Sequence, residues 1–283
     1  MCALIPKAVP DDAVRLVGRG AVVKGEVRLA MPESFQHVGV LDVAIDPLEP
    51  SAEFARWLHV ANCGLEFPLG YPAAFAEVVC PSWKNPWLGV WKSLQRAIQD
   101  NPKNVNNRFE VAGELNRLIG LASGPFWGHP NGTEIPNLSW KTGGRSAGLR
   151  QYRHTETRVS GVQEVWKLYG QGSVGSQALV GIPWVASLWN HFGAEAEVWP
   201  FERGFGIRTV GPTIVLAEIW PGVIPLESRD GFVRDQIQVE SLAAYFQKLD
   251  AEGNLAKLFA RPDSLSTQQE GDCVSAEGWI LGV

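Results

Sequence analysis

Acidic residues that follow buried apolar runs carry the strongest chemical signal in this sequence. Glu218 stands in the run Ile214-Val-Leu-Ala-Glu218-Ile-Trp-Pro221, which is typical of a strand buried on both faces. Strand alternation would place Glu218 on the same side as Ile214, Leu216 and Trp220. An ionised carboxylate in such company is costly unless a metal ion or another cation meets it. Glu218 is therefore a candidate metal ligand and catalytic residue, and a structural ion pair with an arginine is the alternative.

Two further acids could share a site with Glu218. Glu66 comes near the end of an apolar stretch and shortly before Pro68, much as Glu218 comes shortly before Pro221. Ligands of open α/β sheets gather at the carboxyl ends of strands, and oxygen ligands suit Mg²⁺ or Mn²⁺. Asp235 opens the last predicted helix, where it is either a third ligand or a helix N-cap. We expect Glu66, Glu218 and Asp235 to bind Mg²⁺ or Mn²⁺ weakly.

Cationic residues are concentrated in one segment of this acidic protein. Residues 141–158 contain five lysines and arginines but a single acid, Glu156. Such a segment could bind phosphate groups, or it could be a solvated basic loop. Arg153 is its candidate substrate-binding residue. Arg153 and Glu156 would also share one helical face, where they could simply pair with each other.

A glycine-rich turn spans residues 170–177. Gly170-Gln-Gly172-Ser-Val-Gly175 matches the GxGxxG dinucleotide fingerprint. However, the sequence Gly181-Ile-Pro183 is expected to interrupt the helix that should face the pyrophosphate. A turn that presents backbone N–H groups to an anion beside the acidic site fits better, and nucleotide-cofactor binding is the weaker alternative. The candidate substrate-binding residues of this turn are Gly172, Ser173, Ser176 and Gln177.

The composition is that of an ordinary folded protein. Apolar residues make up 45% and charged residues 19% of the 283 residues. The net charge of −5 argues against non-specific binding to long nucleic acid, but it leaves room for a phosphorylated substrate and an acidic nuclease site. Four scattered cysteines and the lack of a signal peptide predict reduced thiols in the cytoplasm. No apolar run is long enough to cross a membrane.

Short strands followed by alternating strands and helices are predicted to position these residues. β-branched runs predict strands within residues 12–46, and further strands are expected at 165–168 and 213–220. Helical periodicity predicts helices at Ala52–Val60, Trp87–Ile98, Val111–Ile119, Trp184–Phe192 and Asp235–Leu249. This order predicts an α/β fold, a mixed sheet flanked by helices, in one domain over residues 1–283.

Several short motifs between residues 52 and 283 form a combination that is more specific than any one of them. They are Glu66-Phe-Pro-Leu-Gly-Tyr-Pro, Asn106-Asn-Arg-Phe-Glu, Gly124-Pro-Phe-Trp-Gly, Arg153-His-Thr-Glu156, Gly172-Ser-Val-Gly-Ser-Gln, Gly181-Ile-Pro183, Val198-Trp-Pro-Phe-Glu202, Glu218-Ile-Trp-Pro and Gly278-Trp-Ile-Leu. Together they resemble an uncharacterised bacterial family of predicted nucleases with a ribonuclease-H-like fold.

This resemblance implies both a fold and a chemistry. The fold would be a ribonuclease-H-like mixed β-sheet flanked by helices on both sides, with residues 1–50 as divergent N-terminal strands. The family places acids at Glu66, Glu156 and Glu218, with Asp235 close behind, and its chemistry would use two metal ions about 4 Å apart. Relatives also carry an aspartate on the first strand, which this chain lacks in that setting.

The resemblance leaves two functions open. The first is a metal-dependent phosphodiesterase or nuclease, weakened by the loss of the first aspartate, that acts on a phosphate-containing substrate or nucleic acid. The second is a non-catalytic binding or assembly module on the same fold. The sequence makes no prediction of the oligomeric state.

Overall fold

The computed structural model describes the chain in segments. They are residues 2–6, 19–23, 26–30, 43–44, 61–101, 105–121, 124–141, 149–206, 214–228, 231–232 and 234–283. Only the backbone is described in the first four segments and at residues 61–64, 234–236 and 239. The helix predicted at Ala52–Val60 and most of the region 12–46 lie outside the described residues.

Seven short strands pair into one sheet. They are β1 Cys2–Pro6, β2 Arg19–Val23, β3 Glu26–Ala30, β4 Val43–Ala44, β5 Ala61–Leu65, β6 Ala196–Val198 and β7 Ile214–Glu218. Their order across the sheet is β4-β3-β2-β1-β5-β7-β6. The pairs from β4 to β5 are antiparallel, whereas β5 and β6 each run parallel to β7. The register places Leu65 opposite Glu218, so both strands end at the same edge.

Six α-helices follow β5 among the described residues. They are α1 Ala73–Val79, α2 Pro86–Ala97, α3 Arg108–Ile119, α4 Val174–Phe192, α5 Arg234–Ala251 and α6 Thr267–Asp272. Short 3₁₀ segments occur at Glu156–Arg158, Gly193–Glu195, Pro221–Val223 and Leu255–Phe259, and a π turn occurs at Cys273–Glu277. The helices predicted from periodicity around residues 87–98, 111–119 and 235–249 are confirmed as α2, α3 and α5.

The predicted ribonuclease-H-like mixed sheet flanked by helices on both sides is wrong. From residue 61 onward, the described chain forms six α-helices but only three strands of three to five residues each, so this part is mostly helical. The segment 165–168, predicted as a strand, begins as a turn and meets Trp127 through an isolated bridge at Lys167. Short apolar runs are buried in strands, helices and turns alike, and periodicity cannot separate these cases.

Helix α4 continues through Pro183, so the expected interruption at this position is also wrong. A proline in a helix interior removes one hydrogen bond and costs roughly 3 kcal/mol or more. Leu179 and Val185 on the same helix are completely buried, and burying one such side chain contributes about 1.5–3 kcal/mol. Gly181 also lets the helix approach closely, because a Cβ there would lie 2.4 Å from the Phe67 ring. Tertiary packing therefore outweighs the local preference.

Strand β7 separates two groups of buried side chains. Ile214 and Leu216 belong to the larger hydrophobic group, while Val215 and Ala217 belong to the smaller one. Alternation places Glu218 on the side of Ile214 and Leu216, as the sequence predicts. Its side chain is almost completely buried there.

Candidate functional site

A fully buried arginine meets Glu218. The Arg153 guanidinium forms two parallel hydrogen bonds with this carboxylate: Nη1 donates to Oε2 at 2.7 Å, and Nη2 donates to Oε1 at 2.6 Å. The Leu69 N–H also donates to Oε2, at 3.2 Å. Both oxygens of Glu218 therefore accept hydrogen bonds from protein groups. This is the ion-pair arrangement that the sequence left open as the alternative to metal binding.

Glu156 contacts the same arginine. Arg153 Nε donates to Glu156 Oε1 at 2.9 Å, and the Arg153 backbone N–H donates to Oε2 at 2.8 Å. The main-chain carbonyl of Glu277 accepts a further bond from Arg153 Nη1 at 2.8 Å. We call Arg153, Glu156 and Glu218 the inner arginine network. It joins strand β7, the segment 150–158 and the C-terminal region.

Burial controls the ionisation of the inner arginine network. Burial works to lower the pKa of Arg153, but Glu156 and Glu218 together raise it above its ordinary value, so the guanidinium stays charged. Burial also raises the pKa of Glu156, while Arg153 offsets part of that effect and Glu218 adds to it. Two carboxylates thus share one guanidinium.

A second carboxylate centre is built around Glu277, the last residue of the π turn. The Glu277 side chain is completely buried. Its Oε1 accepts from the Ala73 N–H at 3.0 Å, and its Oε2 accepts from the His154 N–H at 2.8 Å. Arg150 Nη2 donates to Oε1 as well. The π turn therefore brings the carboxylate to the start of α1 and to the residues that flank Arg153.

Asp272, the last residue of α6, completes this centre. Its Oδ2 lies 3.0 Å from His154 Nε2 and 3.5 Å from Arg150 Nη2, and its Oδ1 accepts from Gln268 Nε2 at 3.0 Å. We call Arg150, His154, Asp272 and Glu277 the outer arginine network. It is partly exposed, because 37% of the Arg150 side chain and 22% of the Asp272 side chain reach solvent.

Two other polar groups lie close to these networks. The Tyr71 hydroxyl is buried and has no hydrogen-bond partner within the described segments. Burial raises the pKa of Tyr71 above its ordinary value. Burial, and then Glu277, raise the pKa of the Cys273 thiol to about 12. Because both groups are protonated at neutral pH, neither is an activated nucleophile.

Glu66 leaves the sheet one residue after β5. The strand ends at Leu65, which is paired with Glu218, so Glu66 directly follows the residue that lies beside Glu218 in the sheet. The Phe67 ring lies against Gly181. The register thus brings the backbones of Glu66 and Glu218 to the same edge of the sheet.

Asp235 lies in the first turn of α5, one residue after the helix begins. Helix α5 packs against the short turn Pro221–Val223, which follows β7, and against β1 and β2. Asp235 therefore belongs to an element that reaches the region beyond the end of β7.

The backbone of the glycine-rich turn is used within its own neighbourhood. The Ser173 N–H donates to the Gly170 carbonyl at 3.2 Å, and the Gly175 N–H donates to the Lys167 carbonyl at 3.0 Å. Gly172 has a φ of +72°, which favours glycine in this tight turn. These contacts hold the turn against the segment that precedes it.

Ser176 in the first turn of α4 is also occupied. Its Oγ donates to the Leu168 carbonyl at 2.6 Å and accepts from Arg108 Nε at 3.0 Å. Gln177 is exposed. Within the described part of the chain, no hydrogen bond or ion pair connects Gly172, Ser173, Ser176 or Gln177 to either arginine network. Arg153 is the one predicted substrate-binding residue that lies among the predicted acids.

Comparisons of the chain with protein-family models, curated proteins and solved structures found no match. The resemblance to predicted nucleases therefore stays a prediction that rests on the motifs themselves. Among the described residues, no helix is long and apolar enough to span a membrane.

Asp272 and Glu277 of the outer arginine network could not be predicted from the sequence. Asp272 and Glu277 are five residues apart, a spacing that puts two side chains together neither on an α-helix nor on a strand. The π turn at Cys273–Glu277 brings these two side chains together, because its hydrogen bonds join residues five apart. No periodic pattern in the sequence predicts such a turn. Arg150 and His154 lie in the cationic segment 141–158, which the sequence singled out as a possible phosphate-binding segment.

Proposed function

We propose that this chain is a non-catalytic binding or assembly module in which Glu156 and Glu218 are structural ions. The observation that supports the proposal is the bidentate pair between Arg153 and Glu218. The two oxygens of Glu218 accept three hydrogen bonds, and two of these come from a guanidinium that is completely buried and cannot exchange its partner for water.

The free energy of the buried ion pair also disfavours metal binding at Glu218. A metal ion that took Glu218 would leave the Arg153 guanidinium buried with one carboxylate instead of two. Breaking a buried ion pair by removing one partner costs about 3–5 kcal/mol, because the remaining charge is uncompensated. A weakly held Mg²⁺ or Mn²⁺ ion does not supply that free energy.

Thermal and chemical denaturation of the Glu218→Gln variant tests this proposal. We expect the variant to lose about 3–5 kcal/mol of unfolding free energy, because its amide NH₂ would face a guanidinium N–H, donor against donor. Any effect of Mn²⁺ on the melting temperature should be the same in the variant and the parent. Single-stranded and duplex DNA and RNA should remain intact in the presence of Mn²⁺.

The matched control is Glu114→Gln, which breaks an exposed pair with Arg117 on helix α3. The Glu114 side chain is 60% exposed, and such surface pairs contribute roughly 0.2–1 kcal/mol. The proposal fails if Glu218→Gln is as stable as this control and abolishes a Mn²⁺ response of the parent.

A metal-dependent phosphodiesterase is the second candidate. The register favours it, because β5 and β7 end side by side. Glu66 directly follows β5, and Glu218 is the last residue of β7. The motifs that resemble predicted nucleases support the same chemistry, and Mg²⁺ or Mn²⁺ with Glu66, Glu218 and Asp235 would carry it. Mn²⁺-dependent cleavage that disappears in Glu66→Gln would establish this candidate and overturn the first.

A further inference from the structure

The outer arginine network contains a group of side chains with the composition of a metal site. One ring nitrogen of His154 and one carboxylate oxygen each from Asp272 and Glu277 all lie within 4.8 Å of one another. We propose that these three residues bind one divalent transition-metal ion, of which Zn²⁺ is the model, in competition with the Arg150 guanidinium. This inference uses none of the ligands of the phosphodiesterase hypothesis and stands independently of the proposed function.

The charges around this group support a cation. Asp272 and Glu277 are two carboxylates, and among the described residues Arg150 is the one arginine whose guanidinium contacts their side chains. Arg153 does not neutralise them, because its side-chain ion pairs are with Glu156 and Glu218 and it touches only the main-chain carbonyl of Glu277. With a neutral imidazole at His154, the group has one negative charge in excess.

The donor types select the class of ion. One imidazole nitrogen and two carboxylate oxygens suit Zn²⁺ and its neighbours in the transition series, whereas Mg²⁺ and Ca²⁺ prefer sites made of oxygen alone. Three protein ligands would leave a fourth position of a tetrahedral site for water or a ligand atom. The group therefore resembles an open site more than a closed structural one.

Neighbouring contacts already orient the two carboxylate donors. The His154 backbone N–H is bonded to Glu277, and Gln268 holds the second oxygen of Asp272. Such outer contacts fix the direction of metal ligands and raise their affinity. Exposure increases from Glu277, which is completely buried, through His154 at 14% to Asp272 at 22%. This gradient leaves a route for an ion from solvent.

The effect of removing Arg150 distinguishes a metal site from a set of ion pairs. Its side chain is 37% exposed, and it contacts both carboxylates through the single nitrogen Nη2. A guanidinium held in this way can turn toward solvent when a metal ion takes the carboxylate oxygens. If the ion and Arg150 compete, removing Arg150 must strengthen metal binding.

Titration of the full chain with Zn²⁺ by calorimetry, and with Co²⁺ by visible absorption, tests the proposal. We expect one equivalent of Zn²⁺ to bind the parent, and Co²⁺ to give the absorption bands of a four-coordinate nitrogen and oxygen site. His154→Ala should weaken Zn²⁺ binding by at least about tenfold, since even the loss of an outer-shell partner of a metal ligand costs 10–100-fold. Arg150→Met should bind Zn²⁺ more tightly than the parent.

His191→Ala is the matched control, because His191 is exposed at the end of α4 and lies outside both networks. Its affinity for Zn²⁺ should equal that of the parent. Unchanged Zn²⁺ binding by His154→Ala would overturn the proposal, and so would the absence of binding by the parent. Binding that appears only in Arg150→Met would also overturn it, because the resident cation would then be the guanidinium. Circular dichroism confirms that each variant is folded before titration.

Discussion

The inner and outer arginine networks use the same residue types in different surroundings. Arg153 is completely buried and engages Glu156, Glu218 and a main-chain carbonyl with its guanidinium nitrogens. Arg150 is more than one third exposed and reaches its two carboxylates through Nη2 alone. The two arginines are three residues apart in the chain, so the difference arises from what packs around each one.

Exposure decides whether the counter-ion of a carboxylate can be exchanged. Water cannot replace Arg153, and a buried charge left without a partner costs several kcal/mol. Water can solvate a displaced Arg150, and exposed ion pairs contribute little to stability. The inner network therefore holds the fold together, and the outer network is the better candidate for ligand chemistry.

Removing each arginine in turn is the strongest test of this comparison. Arg153→Met should lower the free energy of unfolding by about 3–5 kcal/mol, because two buried carboxylates lose their cation. Arg150→Met should cost clearly less, since Glu277 keeps its two backbone N–H donors. Urea denaturation followed by tryptophan fluorescence measures both variants. Equal losses would show that exposure is not what distinguishes the two networks.

A smaller loss of stability is expected when the π turn Cys273–Glu277, which contacts both networks through Glu277, is displaced. A Cβ on Gly70 would lie 2.2 Å from the Ala276 carbonyl oxygen and 2.6 Å from that of Glu277. Gly70→Ala should therefore displace the π turn and lower the free energy of unfolding by about 1–3 kcal/mol, as overpacking does in other proteins. The same variant should weaken Zn²⁺ binding, because the Glu277 carboxylate moves with its backbone.

Gly271→Ala is the matched control for this variant. Gly271 lies in α6, and a Cβ there would have no neighbour within 4 Å. Alanine is the better helix former, so thermal denaturation should show a gain of about 0.5–1 kcal/mol. If the Gly70→Ala protein is as stable as the parent, the π turn is not held rigidly against Gly70.

The smallest expected effect concerns the pH dependence of stability, to which Glu156 of the inner arginine network contributes. Burial raises the pKa of Glu156 above its ordinary value near 4.5, so the folded state binds this proton more tightly than the unfolded state. The resulting stabilisation is fully present below about pH 4.5 and is lost as the pH rises through the raised pKa of the folded protein. Glu156→Gln should flatten the dependence of unfolding free energy on pH above 4.5. A parent whose stability rises across this range at the same rate as the variant would contradict the assignment.

Secondary structure and burial could be predicted well in several places from the sequence. Apolar residues at helical spacing identified α2, α3 and α5, and the run before Pro221 identified β7 together with the face of Glu218. These predictions succeed because periodicity records which side of an element is buried. They fail at 165–168 and at Pro183, where packing against distant residues overrides the local pattern.

The sequence by itself determined that Glu218 is a buried acid at a strand end, and that such an acid needs a cation. Only the tertiary structure decided that the cation is Arg153, which lies 65 positions earlier in the chain. It also decided that the π turn places Glu277 against Arg150 and His154, more than a hundred positions away. Local patterns encode burial because it depends on neighbours along one element, whereas the partner of a charge depends on which segments the folded core brings together.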